Sequence, residues 1–160
     1  MAHYDNAVLI EPQNESELFG IFMFIYAKRP DLFDFEPLDY NTNRGIDIIG
    51  RNKSDNRITE GDHWYIELKF LLKSNFNHAF KHLRWIICWD FDKSVTSGYE
   101  FQGVEESDVR TLTIDFDDNE RPIYLLDSKK KVHKVQIIKL KELIQNELKI
   151  EFKSESADKK

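Results

Sequence analysis

The stretch His63-Trp64-Tyr65-Ile66-Glu67-Leu68-Lys69-Phe70-Leu71 repeats with a period of two. Trp64, Ile66, Leu68 and Phe70 fall on one face, and Tyr65, Glu67 and Lys69 on the other. Only a β-strand sorts side chains in this way. A strand with one apolar face must lie on a core, so the chain needs a sheet and something to cover it. Upstream, Ile46-Asp47-Ile48-Ile49 sits between Gly45 and Gly50 as a second short strand, and the polar stretch Arg51 to Asp62 reads as the long loop joining the two into a hairpin.

Helical spacing appears in three places. Asn14, Glu15 and Glu17 supply capping groups and early acids ahead of Leu18, Phe19, Phe22, Ile25 and Tyr26, which predicts a helix from about Asn14 to Lys28. Arg29-Pro30-Asp31 stops it, and Leu32-Phe33-Asp34-Phe35 reads as an extended connection on the core. Phe76, Phe80 and Leu83 recur at i, i+4, i+7, predicting a short helix over Asn75 to Arg84 with Asn77, His78, Lys81 and His82 off the apolar stripe. The buried strand Ile86-Ile87-Cys88-Trp89 follows, so strand, helix and strand compose a right-handed parallel crossover. Tyr99 to Asp108 reads as an acidic loop. Strands are expected at Arg110 to Phe116, Arg121 to Leu126 and Val132 to Ile138, and a last helix from about Lys139 to Leu148. The fold class is α/β: one domain over residues 1–152 with a mixed sheet flanked by helices, then a flexible polar tail, 153–160.

Composition narrows the setting. At 160 residues, 41% hydrophobic and 32% charged, the chain can bury a core without staples, and its lone Cys88 excludes an intrachain disulfide and a four-cysteine zinc site. A reducing cytoplasm is the natural home. Leu18 to Ala27 is too short to span a bilayer. A net charge of −6 argues against non-specific coating of nucleic acid, though not against a local basic groove beside an acidic metal site.

The chemistry concentrates on two strands. Glu67 and Lys69, two apart, share a face, and a neighbouring strand brings Asp47 beside them. Asp47, Glu67 and the backbone carbonyl of Leu68 are hard oxygen donors suited to Mg²⁺ or Mn²⁺. Lys69 would orient the attacking water and steady developing negative charge. Glu-x-Lys alone is ordinary on the solvent face of a strand. Asp47, set between Ile46 and the apolar pair Ile48-Ile49, is less ordinary, because an unpaired acid there would be costly.

These residues resemble the PD-(D/E)xK superfamily of restriction-endonuclease-like proteins, in which an acid near a turn or on one core strand (Asp47 in Gly45-Ile46-Asp47-Ile48-Ile49) precedes (D/E)-x-K on the next (Glu67-Leu68-Lys69). The resemblance covers roughly Pro12 to Asp90 and includes the order of elements; Ile46 stands where the superfamily often has proline. It implies a metal-dependent endonuclease acting on DNA, with Asp47, Glu67 and Lys69 catalytic. It also implies a further glutamate from the first helix, Glu15 ahead of Glu17 because Glu15 shares a face with Leu18, Phe19 and Phe22. Lys73, Asn77, His78 and Lys81 are candidate nucleic-acid contacts, with a solvated face as the alternative. The segment Phe76 to Asp90 is similar to nuclease-like domains found in larger prokaryotic proteins, some carrying an ATPase module, which implies a regulatory domain or subunit as partner. Cutting both strands of a duplex implies a homodimer. The competing reading is a catalytically silent binding or assembly domain of a larger regulatory or defence protein.

Overall fold

The computed structural model describes residues 1–43, 46–53 and 63–152. Gly45, most of the long loop expected after Arg51 and the tail at 153–160 lie outside the described residues.

A hairpin opens the chain, β1 (Ala2–Tyr4) against β2 (Ala7–Leu9), turning at Asp5 with φ +55°. Helix α1 then spans Glu15–Lys28. Its start is written in side chains: Asn14 caps it by accepting from the Glu17 N–H at 2.9 Å, and the Glu17 carboxylate reaches back to the Gln13 N–H at 2.7 Å. Leu18, Ile21, Phe22 and Ile25 form its buried face. After a 3-10 turn at Pro30–Leu32, the short extended connection expected up to Phe35 leads into a full strand that the sequence reading did not place, β3 (Phe35–Asn41).

The remaining strands are β4 (Asp47–Asn52), β5 (His63–Leu72), β6 (Leu83–Phe91), β7 (Glu100–Gln102), β8 (Val109–Phe116), β9 (Pro122–Asp127) and β10 (Val135–Lys139), with α2 (Leu140–Leu148) last. With β3 they make an eight-stranded sheet in the order β3-β4-β5-β6-β10-β9-β8-β7. β5, β6 and β10 run parallel at its centre, and every other neighbouring pair is antiparallel. The fold is therefore α/β with a mixed sheet, as the alternation of elements predicts. β6 is buried from Trp85 to Trp89, as a strand covered on both faces must be. β4 passes close to its neighbours at Gly50, where a Cβ would come 2.7 Å from Ile66 Cδ1 and 3.2 Å from the Glu36 carbonyl oxygen.

Two cores lie on opposite faces. One gathers the buried sides of α1 and α2 with Phe35, Ile48, Ile66, Leu68, Trp85, Ile87 and Trp89. The other holds Leu72, Phe76, Phe80, Leu83, Ile86, Cys88, Phe101, Leu112, Leu126 and Val135, contributed by strands from both halves of the sheet and by the segment between β5 and β6.

That segment corrects the sequence reading. No α-helix forms over Asn75 to Arg84; the chain crosses in irregular conformation with one 3-10 turn, Phe80–His82, and enters β6 at Leu83. The reason is distance. Register places Leu72 opposite Phe91 and Tyr65 opposite Leu83, so residues 73–82 must return along most of β5. That span is about 23 Å at strand rise, and the same residues coiled as an α-helix would rise only about 15 Å. The i, i+4, i+7 apolar spacing is nevertheless used, since Phe76, Phe80 and Leu83 are all buried, by an irregular chain that dips into the core. Arg110 fixes this crossing from beneath: it is 1% exposed, lies 5.4 Å from the Phe80 ring and donates to Asp108 and to the His133 carbonyl, each at 2.7 Å. Among the described residues, no helix is long and apolar enough to cross a membrane.

Candidate functional site

Antiparallel register sets Asp47 directly across from Glu67, at the end of β4. Ile48, Ile66 and Leu68 point into the α1 core, so by alternation Asp47, Glu67 and Lys69 point to the opposite face. There the 73–82 crossing runs over them. Two of the three predicted catalytic residues are thus brought together, and the third follows on the same strand face.

Glu67 is the anchor. Its side chain is 1% exposed, and Oε1 accepts from the backbone N–H of Asn77 and, at 3.3 Å, from that of His78. Oε2 is buried without a hydrogen-bond partner among the described residues. An unpaired buried carboxylate oxygen is expensive, so it stands out from the surrounding packing. Asp47 is its opposite in exposure, with 45% of its side chain open to solvent.

His78 joins the two. Its ring stacks on Tyr65 at 4.1 Å between centroids and 22° between planes. Nε2 lies 3.3 Å from Asp47 Oδ1 and Nδ1 lies 3.6 Å from Glu67 Oε1, yet Nδ1 makes no hydrogen bond among the described residues. Lys69 Nζ donates to the carbonyl of Asn75, a residue held at φ +65°. Leu68 has its side chain in the first core, leaving its main-chain carbonyl as the only donor it can offer. Among the described residues, no three His, Cys, Asp or Glu side chains stand close enough together to hold a metal ion as they are.

The other candidates are placed differently. Glu15 occupies the first turn of α1, and the buried face of α1 packs on the sheet face opposite Glu67. Glu17 is committed to capping. Lys73 is exposed, and Lys81 pairs with Glu105 at 2.6 Å. Asn77 and His78 contact the motif itself, the first through its backbone. His78 and His82 share no helical face, because the helix that would align them is absent. Tyr65 was not legible as a site residue, and His78 was read as a nucleic-acid contact rather than a neighbour of the carboxylates: their meeting depends on an irregular crossing that the sequence spacing presents as helical.

Beside Tyr65, on the rim of the site, Ile49, His63, Trp64, Lys81 and His82 line an open cleft with it. Comparison with protein-family models, with curated proteins and with solved structures finds no match.

Proposed function

We propose that this chain is a divalent-metal-dependent nuclease that hydrolyses phosphodiester bonds in DNA, working in the cytoplasm as a PD-(D/E)xK-like domain. The observation that carries this reading is the divided carboxylate of Glu67. One oxygen is oriented by two backbone N–H groups while the other is buried, unpaired and on the same face as Asp47. Ligating carboxylates are held by outer hydrogen bonds in this manner, leaving one oxygen free for the cation.

Asp47 and Glu67 would hold the ion, and the Leu68 carbonyl is the third oxygen donor in reach of the same strand. Bound there, Mg²⁺ or Mn²⁺ would supply charge neutralisation on the scissile phosphate and a lowered pKa for water. Lys69, steadied by the Asn75 carbonyl, keeps a positive charge along the same strand face, where negative charge on the phosphoryl oxygens can be stabilised. The half-open Asp47 faces solvent, from which DNA would approach. Two such chains acting together would cut both strands of a duplex.

The alternative, a silent binding or assembly domain, is favoured by one feature: Glu67 Oε1 and Lys69 Nζ both hold the 73–82 crossing in place, a structural duty that would preserve them without catalysis. Plasmid nicking separates the two. Purified chain with Mg²⁺ or Mn²⁺ should relax supercoiled DNA, and Asp47→Ala, Glu67→Gln and Lys69→Met should each abolish this. Cleavage that survives in all three variants sinks the mechanism, and an inert but metal-free wild type supports the silent domain.

A further inference from the structure

We infer that the cleft beside Tyr65 holds an unpaired nucleobase of the strand whose backbone lies at Asp47 and Glu67, so that the preferred partner is single-stranded nucleic acid. The inference rests on the phosphodiester-site reading above and names the state of its substrate.

Position comes first. Antiparallel register sets Ile49 opposite Tyr65, one row along the ladder from Asp47 and Glu67, and Arg51 opposite His63 one row further. Alternation keeps all three rows on the same face. The floor of the cleft is therefore continuous with the carboxylates and lies about 6.6 Å from them at strand rise. That is within the reach of neighbouring nucleotides on one strand.

Chemistry comes second. None of the six described residues that line the cleft is acidic, although the chain carries 29 acids against 23 lysines and arginines. Tyr65 supplies a ring, Ile49 an apolar neighbour, and His63, Lys81 and His82 hydrogen-bond donors at exposed positions. The ion pair of Lys81 with Glu105 does not withdraw the ammonium. Both side chains stand about half in solvent, where such a pair is worth little and a phosphate can displace the carboxylate. An aromatic ring flanked by phosphate-binding donors is the composition of a stacking platform for single strands. Tyr65 is also preset, because His78 stacks on it at 4.1 Å and fixes the plane against which a base would lie.

Size decides between a single strand and a duplex. The cleft encloses about 350 Å³, near the lower end of the range for small-ligand sites, which suits one base and excludes two paired strands. In a duplex the bases are turned inward, and one could enter only by leaving its stack, a cost that an already unpaired base does not meet.

The test is fluorescence anisotropy of the full chain with a short fluorescein-labelled oligothymidylate, an oligouridylate of the same length and a blunt hairpin duplex, in EDTA so that no cleavage intervenes. Wild type should bind a single strand about tenfold or more tightly than the duplex, the scale of the unstacking cost. Whichever single strand binds more tightly tells DNA from RNA, and either keeps the assignment. Tyr65→Leu should weaken single-strand binding by about tenfold, the scale of one lost stack, and Tyr65→Phe, which keeps the ring, should restore it. Lys81→Ala and His82→Ala, at exposed positions, should each weaken it several-fold. An oligonucleotide carrying 5-bromodeoxyuridine, irradiated on wild type, should cross-link to Tyr65 or His63, a readout that depends on no variant folding. No binding, a duplex bound as tightly as the single strands, or cross-links that map only outside the cleft overturns the assignment. If wild type cuts plasmid and still gives one of those results, the cleft falls alone; if it binds single strands in this way and never cuts, the nuclease reading falls alone.

Discussion

Asp47 and Glu67 face each other across the β4–β5 ladder, one with 45% of its side chain in solvent and the other with 1%. The pair is therefore asymmetric in mechanical terms: Glu67 is clamped by the backbone of the crossing and Asp47 is free to follow a ligand. Placing the rigid partner inside and the mobile one at the mouth leaves a carboxylate whose position is set by packing, which is the condition for a preorganised site.

That clamp predicts a split between stability and function at Glu67. Glu67→Gln keeps an acceptor for Asn77 and His78 while removing a buried charge, so unfolding free energy should stay within about 1 kcal/mol of wild type or rise. Glu67→Ala strands two backbone donors and opens a cavity, and should cost about 2–4 kcal/mol. Both should lose metal binding. Chemical denaturation and calorimetry on the two variants check this, and a Gln variant as unstable as the Ala variant would show that the charge itself holds the fold.

Lys69→Met removes the bond to the Asn75 carbonyl but keeps the stem that packs along β5. Global stability should change by less than about 1 kcal/mol, the usual net worth of one exposed hydrogen bond. The 73–82 crossing should loosen locally, so amide exchange at Asn77 and His78 should speed up while that of β6 is unchanged. Nicking activity should disappear.

His133 gives a pH signature outside the site. Burial lowers its pKa from the ordinary 6.5, aided by the nearby Arg110 and Arg84 charges and opposed by the bond in which Nε2–H donates to the Leu83 carbonyl at 2.6 Å. Because the folded value is depressed, the unfolded chain binds the extra proton first. The contribution to stability is complete above pH 6.5 and is lost as pH falls from there through the folded value. Denaturation curves across roughly pH 7 to 5 should show this decline, and His133→Gln should flatten it, that interval being where histidine titrates. An unchanged slope in the variant would assign the decline elsewhere.

Two glycines should respond in opposite directions. A Cβ at Gly103 would stand 2.9 Å from the Asp108 carbonyl oxygen and 2.9 Å from the Phe80 ring, both beneath the crossing. Gly103→Ala should cost about 1–3 kcal/mol as overpacking does, and it should weaken metal binding by shifting Phe80. Gly20 lies within α1 with nothing within 4 Å of its Cβ position. Gly20→Ala should add about 0.5–1 kcal/mol, the helix-propensity difference.

The two-residue period of His63 to Leu71 and the capping acids of α1 were readable because each is a local pattern with one structural answer. Pairing Asp47 with Glu67 followed from strand alternation and a hairpin. What sequence spacing could not supply was the length of the return from β5 to β6, which depends on register between distant residues and turns an apparent helix into an irregular clasp. His78 was misread for that reason: on a helix it faces outward with His82, whereas on the clasp it enters the site. Glu15 lies on α1, a helix packed on the other face of the sheet, a layering that helical spacing alone does not disclose, and the strand at Phe35–Asn41 was hidden because its second half is exposed and rich in polar, turn-forming residues.

The parallel pairing of β6 with β10 joins Trp85 to Gln136, while the motif, the clasp and the first parallel pair come from the contiguous stretch 47–91. The meander β7–β8–β9 is thus a detour inserted between two adjacent strands. A chain wired in this way can lengthen or decorate the turns of the detour without changing the order of residues around Glu67, while Arg110 and Gly103, two points where the detour touches Phe80, tie its inner surface to the clasp.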